Sequence, residues 1–182
     1  MGNNNALGNG ALTVNGAATL ASSSAVALQN AIVLNNALTL NGANDLTLNG
    51  TLSGATGSLV KSGAGALTLT GANTFGGGAT LSGGTVNVGS NTALGTGNVT
   101  VNGAVTLASL SNNVALSNTF ALSNALTVGG ASNLTLNGAL SGAGGTLVKT
   151  GTGTLTLNAT NSMGGATPVS YTHLTLPTNR EV

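Results

Sequence analysis

The sequence predicts an all-β chain: a right-handed parallel β-helix, or β-solenoid, in the form of a fragment without caps. Three observations carry that expectation. Short segments alternate apolar with polar side chains, as in ALTV at 11–14, ALTL at 37–40 and 66–69, and NVTV at 98–101. Period-two alternation puts Leu and Val on one face of a strand and Thr or Asn on the other. Nearly every such segment runs into Asn-Gly, Gly-Gly or Ser-Gly, residues that supply positive φ at turns. The chain also repeats itself: LVKSGAGALTLTGANTF at 59–75 returns as LVKTGTGTLTLNATNSM at 147–163. Self-similarity at a fixed period is the mark of a solenoid or an array.

The repeat reaches well beyond that stretch. Residues 26–75 and 114–163 align without gaps, with about 30 identities in 50 pairs. Upstream, ALGNGALTVNG at 6–16 matches ALGTGNVTVNG at 93–103 at an offset of 87 rather than 88. Residues 1–168 are therefore expected to form one β-helix domain of two supra-repeats, about 6–92 and 93–168.

The strands follow in order along both copies, at 11–14, 37–40, 45–48, 66–69, 85–88, 98–101, 125–128, 133–136 and 154–157. No window places apolar residues at helical spacing, and Gly interrupts each of them. Antiparallel sandwiches and barrels also use many short strands. A solenoid is favoured because aromatics are 2% of the chain, and Leu, Val, Ile and Ala suffice to fill a narrow lumen. Three strands with their turns make roughly 20–22 residues per coil, so one supra-repeat holds about four coils. Stacked about 4.8 Å apart, seven or eight coils form a rod on the order of 35 Å long. A parallel crossover is expected to be right-handed. Phe75 and Phe120 are expected to be lumen fillers or coil caps rather than ligand platforms, and no capping segment is visible at either end.

Composition excludes several functions. Charged residues are 3% of the chain and the formal net charge is +1. That is too little positive charge to neutralise several phosphates, so no nucleic-acid partner is expected. Mean hydropathy is +0.35, against the low hydrophobicity and high net charge that accompany disorder. There is no cysteine, hence no disulfide or thiolate metal site. The first residues lack the basic and apolar regions of a signal peptide, which reads as a chain that begins inside a longer gene.

The ionisable side chains before residue 169 are Asp45, Lys61 and Lys149. General acid–base catalysis needs positioned proton donors and acceptors, and the repeat places Asn133 where Asp45 stands. No His or Asp is at hand to activate a serine. No catalytic, cofactor-binding or metal-binding residue is expected, no cofactor, and no small-molecule substrate; the chain reads as a non-enzyme. Lys61 and Lys149 recur at one repeat position. They are read either as a basic spot for an anionic glycan or, preferentially, as solvated turn residues that discourage edge aggregation. Val60 and Val148 stand where a phosphate-binding loop needs Gly. One Asp cannot serve calcium-binding nonapeptide repeats. The Thr-Leu-Thr runs at 68–70 and 154–156 are too few for an ice-binding ladder.

The pattern from Leu59 to Gly77, L-V-K-x-G-x-G-x-L-T-L-x-G-x-N-T-F-x-G, resembles the passenger-associated transport repeat of bacterial autotransporters and related surface adhesins. TLSGGTVNVGS at 80–90 is similar to the strand that follows it in that family. The second copy departs from the pattern at Asn158, Ser162 and Met163. The resemblance implies a right-handed β-helix carried through an outer-membrane translocator barrel, as a partner in the same full-length protein, to the surface of a Gram-negative cell. It implies a structural stem that supports export and display. The alternative is an adhesin or self-association module that binds host or bacterial surfaces through its flank.

From Pro168 the composition changes. VSYTHLTLPT at 169–178 resembles a translated sequencing adapter. Residues 169–182 are accordingly expected to stand outside the fold, and His173, Arg180 and Glu181 to carry no function.

Overall fold

A computed structural model describes residues 1–165 and 174–175. Among these the chain is all β, with no helix, and every strand pair is parallel. Each circuit of the chain lays down three segments. The first circuit is β1 (Leu12–Val14), β2 (Ala18–Leu20) and β3 (Val26–Leu28). The second is β4 (Ile32–Leu34), β5 (Leu38–Leu40) and β6 (Leu46–Leu48), and the third β7 (Leu52–Ser53), β8 (Leu59–Lys61) and β9 (Leu67–Leu69). In the next two circuits the first segment is not a strand. Residues 71–78 lead into β10 (Ala79–Leu81) and β11 (Thr85–Val88), and residues 90–97 into β12 (Val99–Val101) and β13 (Val105–Ser109). Regular triplets then resume with β14 (Val114–Leu116), β15 (Phe120–Leu122) and β16 (Ala125–Gly129). They continue with β17 (Leu134–Leu136), β18 (Leu140–Gly142) and β19 (Thr146–Lys149), and then β20 (Leu155–Leu157) and β21 (Ser162–Met163).

Stacking these circuits produces the sheets. The second segments form an eight-stranded sheet, β2-β5-β8-β10-β12-β15-β18-β21, and the third segments a seven-stranded sheet from β3 to β19. The first face is split. The sheet β1-β4-β7 covers its lower part. Above the two irregular circuits a four-stranded sheet takes over, β14-β17-β20 with a final two-residue strand, β22 (Leu174–Thr175). Of the tail at 169–182, β22 is the only described part; it pairs with Leu155 and Thr156. The remainder of the expectation about the tail lies outside the described residues.

Registers set the coil length. Leu67 pairs with Val86, 19 residues on, Leu12 with Ile32, 20 on, and Leu38 with Leu59, 21 on. The alternation works as the sequence implies: Leu67 and Leu69 are buried while Thr68 between them is half-exposed. Leu, Val and Ile from all faces merge into one core with Phe75 and Phe120, both fully buried. Each such side chain contributes roughly 1.5–3 kcal/mol by leaving water, and the coils above and below satisfy the strand backbone. Where a strand is missing, side chains replace it. Asn73 accepts from the Leu52 N–H of the coil below (2.8 Å) and donates to the Ala93 carbonyl of the coil above (2.7 Å).

The bare lower end expected from sequence is partly covered. The Met1 amino group donates to the Ala21 carbonyl at 2.6 Å, and Asn4 accepts from the Ala27 N–H of β3 at 2.8 Å.

The supra-repeat is not a whole number of coils. Four coils above Leu59, through Ala79, Val99 and Phe120, stands Leu140, only 81 residues away. The repeat partner of Leu59 is Leu147, which lies one strand further, on β19. An 88-residue step is thus four coils plus one strand and its corner. Every feature of the second copy is turned by one face relative to the first.

Candidate functional site

The repeated segment converges on the corner after its first strand. Lys61 ends β8 with the same parity as Leu59, so its side chain points into the lumen between Leu40 and Leu81. It is 4% exposed, and Lys149 is 1% exposed. The Lys61 ammonium donates to the carbonyl of Gly63 in its own corner and to that of Gly83, one coil up, at 3.2 Å. The Lys149 ammonium donates to the carbonyls of Thr150 at 2.6 Å and Gly151 at 3.0 Å. Burial pushes both ammonium groups below the ordinary value of 10.5, an effect that Asp45 partly offsets at Lys61. Neither lysine is a solvated turn residue or an accessible basic spot. Both readings taken from the sequence are overturned by the inward parity. That parity was visible in Leu59-x-Lys61 and Leu147-x-Lys149.

The corner leaves no room for a side chain above it. A Cβ on Gly65 would stand 2.3 Å from the Asn44 carbonyl oxygen, and one on Gly153 2.1 Å from that of Ser132. Asp45 proves to be a cap: its Oδ1 accepts from the Ala66 N–H at 2.8 Å, and the Asn133 Oδ1 accepts from the Thr154 N–H at the same distance. An amide does that work as well as a carboxylate, which explains why the two copies differ there.

The same contacts recur throughout, on different faces. Asn30 donates to the carbonyls of Gly8 and Gly10, and Asn118 to those of Gly95 and Gly97. Gly54 and Gly142 have φ of 121° and 126°, and a Cβ on either would meet the carbonyl oxygen of Leu34 or Leu122 at 1.9 Å. No L side chain fits such a corner. Lys61 lies on the eight-stranded sheet and Lys149 on the seven-stranded one; Thr68 lies on the seven-stranded sheet and Thr156 on the four-stranded one.

What the copies share is interior. In the first copy Leu59, Lys61, Gly63, Gly65, Leu67, Leu69 and Asn73 are buried, with Val60 and Thr68 half-buried. Ser62 and Ala72, which became Thr150 and Thr160, are exposed in the first copy, whereas Gly71 and Phe75, which became Ala159 and Met163, are buried. No group of three or more His, Cys, Asp or Glu side chains gathers among the described residues. A groove of about 320 Å³ opens beside the irregular segment 90–97, where Asn91, Thr96, Ser117 and Asn137 line it together with Gly95 and Ala115. Sequence reasoning did not find it, because it exists only where a turn replaces a strand.

The geometry defines a repeat-built β-solenoid whose recurring motif is structural: an inward lysine, tight glycine corners and strand-replacing asparagines. The family model of the passenger-associated-transport-repeat matches residues 59–88 and 147–170. Both segments are thus similar to a repeat found in autotransporter passenger domains. No curated protein and no solved structure matches the chain. Passengers that carry that repeat are joined to a translocator domain and secreted to the surface of Gram-negative bacteria, and their fold is generally structural rather than catalytic.

Proposed function

We propose that the chain is a non-enzymatic stem within such a passenger, a rigid spacer whose coils support export and surface display. The observation that carries this reading is the pairing of burial with rotation. Most residues common to the two repeats are buried or half-buried, and the repeats occupy different faces. A receptor docking on the folded flank therefore meets little common surface. Stability in such an array accumulates coil by coil from nearest neighbours, which suits a chain that folds as it emerges.

The test places the chain between an N-terminal epitope tag and an outer-membrane translocator barrel. Surface tag is expected with the native chain and is expected to fall when Gly65→Val and Gly153→Val break the corners, at equal synthesis. Equal display of the broken chain would sink the export role.

The groove at Asn118 favours a second reading, a flank that binds other molecules. Its amides and hydroxyls suit an uncharged, hydroxyl-rich ligand. Retention of the purified chain on immobilised neutral glycans, lost on Ser117→Trp, would support that reading over a pure spacer.

A further inference from the structure

The chain contains six Asn-Gly pairs, at Asn9, Asn15, Asn41, Asn49, Asn102 and Asn137. This dipeptide is chemically labile. The glycine backbone nitrogen, unhindered by a side chain, attacks Cγ of the preceding asparagine. A carbon–nitrogen bond forms, the side-chain carbon–nitrogen bond breaks, and ammonia leaves a five-membered succinimide. Water then opens the ring at either carbonyl to aspartate or isoaspartate, and the released ammonia takes up the new acid's proton. Water is consumed and nothing is oxidised or reduced.

The fold cannot discard three of these pairs. A Cβ at Gly50, Gly103 or Gly138 would stand 2.0–2.1 Å from the carbonyl oxygen of Asn30, Ser82 or Asn118. It does sort them. The Asn15 Oδ1 accepts from Asn35 Nδ2 at 2.9 Å, that of Asn49 from Thr70 Oγ1 at 2.9 Å, and that of Asn137 from Asn158 Nδ2 at 2.8 Å. Those three side chains are each held by a hydrogen bond from the next coil, which restrains Cγ from turning onto the nitrogen. At Asn41 the target nitrogen packs against the Gly63 backbone, so closely that a Cβ there would lie 2.2 Å from Gly42 N. Asn9 and Asn102 are exposed. Among the described residues, neither side chain makes a hydrogen bond, and neither the Gly10 nor the Gly103 N–H donates one.

We propose that Asn9 and Asn102 are modification sites at which the folded rod deamidates without an enzyme, while the other four pairs are protected. The formal charge of the chain is +1, so one conversion neutralises it and the second reverses its sign. The two products differ in effect. Nothing lies within 4 Å of a Cβ on Gly10, so the extra backbone carbon of isoaspartate is accommodated at residue 9. At residue 102 the corner is closed by Ser82, and isoaspartate pushes β12 and β13 out of register.

The folded chain and a denatured sample are incubated side by side at mildly alkaline pH. Peptide mass mapping follows the one-unit mass gain at each site. All six sites are expected to react in denaturant. In the folded chain Asn9 and Asn102 keep that rate, and the other four fall about tenfold or more, because they react only after local opening. Asn35→Ala, an exposed change that frees the Asn15 amide, is expected to bring Asn15 up to the rate of Asn102. Protection of either Asn9 or Asn102 to the level of the four, reaction of any of the four at the Asn102 rate, or no response at Asn15 overturns the proposal.

Discussion

The ammonium of Lys61 and the carbonyl oxygen of Gly83, 22 residues apart, are joined at 3.2 Å across two successive coils. A buried cation thus works as a staple where the backbone turns too sharply for ladder bonding. Removing it leaves carbonyls of Gly63 and Gly83 facing an apolar side chain. Lys61→Met is expected to lower stability by about 1–3 kcal/mol, the cost of unsatisfied buried acceptors. Chemical denaturation checks it; an unchanged midpoint would mean that the staple contributes nothing net.

The same lysines confer a pH dependence whose sign is fixed. Burial holds their folded pKa below the ordinary 10.5. Between the folded value and 10.5 the unfolded chain binds more protons than the folded one, so stability rises with pH across that window. Below the folded value the penalty is fully present. Urea midpoints taken from neutral to alkaline pH are expected to climb, and the climb to vanish in Lys61→Met/Lys149→Met.

Two glycines that each follow an asparagine separate close approach from chain entropy. A Cβ on Gly138 would meet the Asn118 carbonyl oxygen at 2.1 Å, whereas one on Gly16 meets nothing within 4 Å. Gly138→Ala is expected to cost about 1–3 kcal/mol or more through forced backbone shifts. Gly16→Ala is expected to be neutral or to stabilise by about 0.4–1 kcal/mol through the unfolded chain. Thermal unfolding of the two variants should move in opposite directions, or at least be well separated.

Asn73 is the strand substitute of the fourth coil. Asn73→Asp keeps the acceptor for Leu52 N–H but loses the donor to the Ala93 carbonyl and sets a carboxylate against it. A loss of about 1–3 kcal/mol is expected, with faster amide exchange at Leu52. Exchange as slow as in the native chain would show that the ladder bridges this gap without the amide.

The solenoid was legible because period-two alternation and Gly-rich corners recur at every coil, and because Leu, Val and Ile at one parity build the lumen. Phe75 and Phe120 were placed correctly for the same reason. Lys61 was misjudged because its charge was weighed above its parity; the fold accepts the ammonium by offering carbonyls at the corner. The rotation between repeats was not legible. Which face a strand occupies depends on counting every segment of each coil, and residues 71–78 and 90–97 hold their place in the stack without strand character. The groove at Asn118 follows from the same gap.

An 88-residue step of four coils plus one strand shows what the fold counts. Its smallest heritable increment is a strand with its corner, since all three faces accept the same hydrophobic parity and the same asparagine and glycine contacts. Recombination can therefore lengthen or shorten such a gene without respecting coil boundaries and still yield a continuous lumen. Each increment that is not a whole coil of three segments resets the compass bearing of everything beyond it. Length and azimuth are coupled variables, so closely related rods differing by one strand would point their distal portions in different directions from the same membrane.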